Sequence, residues 1–166
     1  VWSEDGWLFK RGALDFAGGA VVHINAGMAA IIAAILVGKR RNPGLEPNNI
    51  PFVILGASML WFGWFGFNAG SGLAANGQAV NAFLVTNTSA AMAMMVWVIL
   101  GVYHGGKVSG VGAATGAGLG LAGGIFAPIT SSAGAITGTI SGGLGGLVGS
   151  METGLTLMDL LQDEVG

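Results

Sequence analysis

The chain has 166 residues, of which 52% are hydrophobic and 8% are charged, and its mean hydropathy is +0.72. Soluble domains carry about 25% charged residues, so this composition excludes a domain with a fully water-exposed surface. The net charge of −2 gives no reason to propose a nucleic-acid partner, and the absence of cysteine excludes disulfides and thiolate metal sites.

Three long stretches, residues 16–38, 47–106 and 108–151, contain no Asp, Glu, Lys or Arg. A membrane-spanning helix needs about 20 apolar residues, so the stretches have room for about one, two and two spans. The alternation of a membrane β-barrel is missing. We therefore expect an all-α integral membrane protein with five transmembrane helices, at about residues 15–38, 50–69, 81–103, 109–126 and 133–150.

The segments between the predicted spans indicate their orientation. Residues 1–14 are polar and aromatic and are expected at the outer interface, where tryptophan is common. Basic residues follow the first span at Lys39, Arg40 and Arg41, and the third span at Lys107. By the positive-inside rule these groups are cytoplasmic, as is the amphipathic segment expected at 151–166. The expected location is the plasma membrane.

Glycine recurs at every fourth position in the last two predicted spans. The two sets are Gly112, Gly116, Gly120 and Gly124, and Gly134, Gly138, Gly142 and Gly146. In lipid, such faces of small residues let helix backbones pack closely. We expect tight helix packing here, and a functional groove is the alternative.

His23 lies inside the first predicted span, between Val22 and Ile24. Ionisable groups at this depth are unfavourable and usually face a cavity or pathway. Gly19 and Gly27, one turn away on either side, leave the face of this histidine open. Two interpretations remain: a side chain that lines a narrow pathway, or a neutral histidine hydrogen-bonded to another helix.

A stripe of aromatic and polar side chains runs along the second predicted span. It comprises Trp61, Trp64, Phe67, Asn68 and Ser71. Aromatic faces, with hydroxyl or amide dipoles, can stabilise a cation that has lost its water. The alternative is an aromatic belt combined with helix packing, although a belt does not explain Asn68.

Asp15 stands at the head of the first predicted span, just before Gly18 and Gly19. A carboxylate there can accept hydrogen bonds from the free N–H groups of the first helical turn. We expect a capping role, and attraction of cations to the mouth of a pathway is the alternative.

Two runs of residues resemble the signatures of one family. They are Gly-Ala-Leu-Asp-Phe-Ala-Gly-Gly-Ala-Val-Val-His-Ile-Asn-Ala-Gly at 12–27 and Gly-Trp-Phe-Gly-Phe-Asn-Ala-Gly-Ser at 63–71. Both are similar to ammonium transporters of the Amt/Mep/Rh family, and Trp2 favours the Amt branch. The resemblance implies a homotrimer with a pore in each subunit. It also implies eleven spans with an inverted repeat, of which this chain supplies the fifth to the ninth.

The resemblance implies roles for residues near the outer surface. Trp2 is similar to the tryptophan of the outer ammonium-recruitment site, and Ser71 to its hydroxyl partner. Asp15 is similar to the family's essential aspartate below the vestibule.

Deeper in the membrane, the resemblance implies a set of pore residues. Phe67 is similar to a phenylalanine that gates the pore, Trp64 to a pore-lining tryptophan, and His23 to the first of two paired pore histidines. Asn68, from the same stripe, is expected beside them. The Phe-Gly-x-His-Gly run that carries the second histidine is absent from this chain, and we expect it beyond Gly166.

The expected function is therefore transmembrane transport of ammonium or ammonia, with deprotonation near His23 and without enzymatic activity, cofactor or metal. The expected partners are the lipid bilayer, further copies of the chain and a PII-type regulatory protein. We expect the chain to be a fragment that does not conduct alone. Two alternatives remain open: an ammonium sensor fused to a signalling module, and a membrane scaffold held together by its glycine faces.

Overall fold

The computed structural model describes residues 1–39, 41 and 46–123, which form helices and connecting turns. A short helix, α1, spans Trp7–Lys10, and a π-helical segment at Gly19–Ile24 leads into α2 at Asn25–Val37. Three helices follow: α3 at Ile50–Gly70, α4 at Gly77–Gly105 and α5 at Gly110–Gly123. Within these ranges there is no β-strand.

Three helical stretches are long and apolar enough to cross a membrane: Gly19–Val37, Ile50–Gly70 and Gly77–Gly105. The expected all-helical membrane architecture is therefore confirmed for this part of the chain. The fourth expected span is described only as far as Gly123. The expected fifth span and the amphipathic segment at 151–166 lie outside the described residues, so the count of five spans stays a prediction.

Asparagine side chains cap the starts of α3 and α4. The Oδ1 atom of Asn49 accepts a hydrogen bond from the backbone N–H of Phe52 at 3.1 Å, and Oδ1 of Asn76 accepts one from Ala79 at 2.9 Å. Such caps satisfy N–H groups that have no partner within the helix. Because Asn76 supplies this cap, α4 begins at Gly77, ahead of the span start expected at about residue 81.

The glycine face of α5 packs directly against the backbone of α4. A Cβ atom added to Gly116 would lie 2.7 Å from the Cβ of Trp97 and 2.9 Å from the carbonyl oxygen of Ala93. At Gly120 an added Cβ would collide with the backbone of Ser89. Tight packing is confirmed for Gly112, Gly116 and Gly120, whereas Gly124 and the second glycine set lie outside the described residues.

The core between α3, α4 and α5 consists mainly of small side chains. Ala82, Ala90 and Ala93 of α4 are completely buried, and α3 contacts both α4 and α5. Small side chains let helices approach closely enough for backbone contact, which replaces the hydrophobic driving force that is missing in lipid. The three helices therefore form one packed group.

Helix α2 presents its large apolar side chains away from the rest of the described chain. Ile31 is 56% exposed and Leu36 is 80% exposed. In the most apolar part of Gly19–Val37 no residue is buried. These side chains suit an apolar environment such as lipid or further helices.

Candidate functional site

The site begins at a turn that Asp15 organises before the π-helical segment. One carboxylate oxygen accepts the backbone N–H of Gly18 at 2.8 Å. The other accepts the N–H groups of Ala20 at 3.1 Å and Val21 at 3.0 Å. Gly18 has a φ of +90°, a conformation that other residues rarely adopt, so the turn requires glycine here. The capping role expected for Asp15 is confirmed.

The same contacts set the charge state of the carboxylate. Partial burial alone would raise the pKa of Asp15. The backbone N–H groups of Val21, Ala20, Gly18 and Gly19 donate hydrogen bonds to the carboxylate, and together they lower the pKa by more than burial raises it. The net pKa lies below the ordinary value of 3.8. Asp15, which precedes the apolar helix, therefore carries a negative charge at neutral pH.

Trp2 lies over this turn. Its indole N–H donates a hydrogen bond to the backbone carbonyl of Asp15 at 2.7 Å. An added Cβ at Gly18 would lie 3.7 Å from the Trp2 ring, so the ring and the turn are in close contact. The ring remains 54% exposed. Asp15 thus holds an accessible aromatic face at the entrance to the helix.

The π-helical segment carries His23. The backbone N–H of His23 donates to the carbonyl of Gly18 at 3.1 Å, which is one residue further back than the partner in an α-helix. The Val22 N–H shares the same carbonyl at 2.9 Å. Single π-helical turns of this kind occur frequently at functional sites. The sequence pattern predicts an ordinary helix around His23, and the π-helical turn differs from that prediction.

His23, Trp64 and Phe67 form an aromatic cluster between the π-helical segment and α3. The ring of His23 stacks on Trp64, with centroids 5.7 Å apart and an interplanar angle of 23°. The Phe67 ring meets His23 edge-on, with centroids 5.8 Å apart. It is tilted by 43° against Trp64, with centroids 5.3 Å apart. These distances are typical of attractive ring contacts. The structure thus brings together three of the residues expected to line a pathway.

Among the described residues, two nitrogens of the aromatic cluster have no hydrogen-bond partner. Nε2 of His23 and Nε1 of Trp64 are both buried and make no hydrogen bond. Buried polar atoms normally have a partner, so each unpaired atom requires an explanation. A ligand that passes along the cluster would supply one.

An apolar concavity adjoins the aromatic cluster along α3. Its lining comprises Met59, Leu60, Gly63, Trp64 and Phe67. Phe67, the last of these lining residues along the chain, is 37% exposed. The concavity is an open and mostly apolar groove beside the rings.

Ser71 lies in the turn after α3, beyond Phe67. Its hydroxyl donates to the carbonyl of Phe67 at 2.8 Å, so its oxygen lone pairs remain available as acceptors. The Trp2 indole N–H donates to the Asp15 carbonyl and the Ser71 hydroxyl donates to the Phe67 carbonyl, so neither side chain donates a hydrogen bond to the other. The expected pairing of these two side chains stays a prediction.

The structure does not bring the Asn68 amide to the aromatic cluster. Asn68 is completely buried, and its Nδ2 atom donates to Oγ1 of Thr86 at 2.9 Å and to the carbonyl of Leu121 at 3.2 Å. Asn68 lies about 100° around the helix from Phe67, so its amide contacts α4 and α5 while the Phe67 ring contacts His23. The role of Thr86 was not predicted, because the Thr86 hydroxyl is one of several polar groups in this part of α4. Among the described residues, no group of acidic and histidine side chains could hold a metal ion.

Residues 1–163 match the model of a family described as the Ammonium Transporter Family. This chain belongs to the ammonium transporter family. It is 55% identical over 120 residues to the ammonium transporter Amt1 of Archaeoglobus fulgidus, covering 70% of this chain and 30% of that protein. It is 50% identical over 121 residues to an ammonium transporter of Aquifex aeolicus, covering 73% of this chain and 28% of that protein.

Solved structures of ammonium transporter family members share this fold. The crystal structure of Candida albicans Mep2 superposes with a TM-score of 0.81 at 34% identity, covering 97% of this chain and 36% of that one. Saccharomyces cerevisiae Mep2 superposes with a TM-score of 0.77, also at 34% identity, covering 89% of this chain and 35% of that one. The chain thus spans about a third of the length of the relatives that it matches.

Proposed function

We propose that this chain forms part of a pathway for ammonium or ammonia across the membrane, running past His23, Trp64 and Phe67. The observation that carries the proposal is the buried, unpartnered Nε2 atom of His23 within an aromatic cluster on membrane-length helices. An ionisable group at this depth is most readily explained by a substrate pathway.

The entrance of the proposed pathway has the chemistry that a small cation requires. The exposed Trp2 ring offers an aromatic face, and Asp15 beneath it carries a negative charge. The Ser71 oxygen, whose proton is engaged by Phe67, can accept a hydrogen bond from ammonium. In our proposal these three residues recruit ammonium before it loses its water.

The aromatic cluster then handles the proton. Phe67, partly exposed, gates the passage to the half-buried rings of Trp64 and His23. Ammonium can give a proton to a neutral imidazole nitrogen and continue as ammonia through an apolar passage. Potassium has no proton to give, so this step discriminates between two cations of similar size.

The proposal extends to the whole transporter. The parent protein is a homotrimer of eleven-span subunits that binds a PII-type regulator. It lies in the plasma membrane with Lys39, Arg41 and Lys107 on the cytoplasmic side. The lengths of the relatives support a longer parent, since this chain covers 28–36% of them.

Uptake of labelled methylammonium by the full-length parent in proteoliposomes tests the proposal. We expect His23→Ala to lower the saturable flux about 100-fold or more, because a positioned proton-transfer group typically contributes about 10²- to 10⁴-fold. His104→Ala is the matched control. His104 is an exposed histidine at the end of α4 whose Nδ1 atom lies 2.9 Å from the Leu100 carbonyl. A wild-type parent without saturable uptake would refute the proposed transport.

A further inference from the structure

We propose that Asn68 is a positioning residue that fixes the rotation of α3 against α4 and α5. It thereby holds Trp64 and Phe67 against His23. The inference rests on the proposed transport function and adds a residue that acts on the pathway from outside it. Its basis is the pair of hydrogen bonds that the buried Asn68 amide donates to Thr86 and Leu121.

The surrounding bonds determine which way the Asn68 amide points. The Thr86 hydroxyl donates its proton to the carbonyl of Ala82 at 2.6 Å, so towards Asn68 its oxygen can act only as an acceptor. The Leu121 carbonyl is also an acceptor. Both acceptors therefore face the amide nitrogen, whose two protons they share. Leucine or aspartate at position 68 could not supply these protons.

The two acceptors belong to one packed unit. Gly116 and Gly120 of α5 lie directly on the backbone of α4, so these two helices cannot slide or rotate independently without a collision. Gly120 meets α4 at Ser89 and Ala90, next to the level of Thr86, and Leu121 follows it in the chain. Asn68 thus binds both members of this pair at one level.

The rotation of α3 determines whether the aromatic cluster forms. Trp64 lies four residues before Asn68 and Phe67 directly precedes it, so all three side chains turn together with α3, and the rotation that places the amide against α4 and α5 is the one in which these rings contact His23. Within the described residues, the side-chain hydrogen bonds that join two of the helices α2 to α5 are those of Asn68. Apolar contacts alone select a rotation weakly, because lipid is equally apolar.

Isosteric variants can separate the hydrogen bonds from the packing. Asn68→Asp keeps the shape but removes both donors, and Thr86→Val removes the acceptor on α4. Thr86→Ser restores that acceptor. Ser89→Ala is the matched control, because Ser89 is completely buried in the same interface but its Oγ atom has no hydrogen-bond partner in the described part of the chain.

The experiment measures methylammonium flux in proteoliposomes for the full-length parent and each variant, normalised to folded protein. We expect Asn68→Asp and Thr86→Val each to lower the maximal flux about threefold to tenfold with little change in KM, because Trp2 and Ser71 remain in place. The double variant should be no worse than the more severe single variant. Thr86→Ser should restore the flux, and Ser89→Ala should match the wild type.

Two outcomes would overturn the inference, and they are distinguishable. If both variants reduce only the yield of folded protein and leave flux per folded molecule unchanged, Asn68 has a structural role alone. The Thr86→Val and Thr86→Ser pair decides the matter even if Asn68→Asp does not fold. A wild-type parent without flux would instead refute the proposed function, and this inference with it.

Discussion

Asp15 links the proposed entrance to the π-helical segment that carries His23. Its side chain binds the N–H groups that open the π-helical segment, and its backbone carbonyl holds the indole of Trp2. A residue that only attracted cations would need neither contact. Its charge and its structural role are thus inseparable, because the same hydrogen bonds keep it ionised and keep the turn closed.

Substitution of Asp15 should destabilise the start of this helix in proportion to the acceptors that are lost. We expect Asp15→Ala to lower the free energy of unfolding of the full-length parent by about 0.5–2 kcal/mol, the usual range for loss of an N-terminal cap. Asp15→Asn keeps one acceptor oxygen and should lose less. Thermal unfolding in detergent measures both, and an Asp15→Ala variant as stable as the wild type would contradict the capping role.

The lowered pKa of Asp15 also predicts where pH affects stability. The folded state binds the proton less tightly than the unfolded state, so the contribution of Asp15 is complete above the ordinary value of 3.8. It is lost as the pH falls through the lower pKa of the folded state. Unfolding of the wild type should show this loss only below about pH 4, and Asp15→Asn should remove that part of the pH dependence.

Among the helices, α5 depends on its neighbour most closely. Its glycines at positions 112, 116 and 120 face α4, whereas Gly118 points to open space among the described residues. The four-residue period was therefore sufficient to predict close packing from the sequence. It could not identify α4 as the partner, because any small-residue face would satisfy the same pattern.

A pair of glycine substitutions tests this interface. Gly120→Ala places a methyl group against the Ser89 backbone and should destabilise the parent by about 1–3 kcal/mol, as overpacking usually does. Gly118→Ala meets no described residue within 4 Å and should be neutral or slightly stabilising, because alanine favours helices by about 1 kcal/mol over glycine. Thermal unfolding measures the difference in stability between the two variants. Equal losses of stability would show that the glycine face of α5 does not determine the stability of the protein.

At the scale of the whole molecule, the described helices provide one side of the proposed pathway. The aromatic cluster lies between the π-helical segment and α3, and the concavity beside it is lined from α3. In their most apolar parts, neither Gly19–Val37 nor Ile50–Gly70 has a buried residue. The Phe-Gly-x-His-Gly run expected from the family resemblance is absent from these 166 residues.

Residues 1–166 alone are therefore expected not to conduct. Liposomes containing only this chain should show no saturable methylammonium uptake, whereas the full-length parent at equal protein density should show it. The His23→Ala parent serves as the low-flux reference. Saturable uptake by the short chain would show that its own helices are sufficient to form a conducting pathway.

Much of this architecture could be predicted from the sequence, and the exceptions have physical reasons. Hydropathy and charge predict spans because lipid requires long apolar helices, and the motifs around His23 and Trp64 predict residues that do meet in the structure. The direction of Asn68 could not be predicted, because a stripe with spacings of three and one does not settle which side of it faces a neighbouring helix. The π-helical turn has no signal in residue type.

The π-helical turn makes the relative orientation of Asp15 and His23 depend on the number of residues between them. Between Gly18 and Ile24 the backbone holds one residue more than an α-helical turn would, since the His23 N–H reaches back to the Gly18 carbonyl. Deleting a single residue there, such as Ala20, would allow α-helical hydrogen bonds to form throughout this segment. Asp15 and the imidazole would then be rotated about 100° relative to each other without the loss of either side chain. The spacing between them is therefore as much a part of the site as the residues themselves.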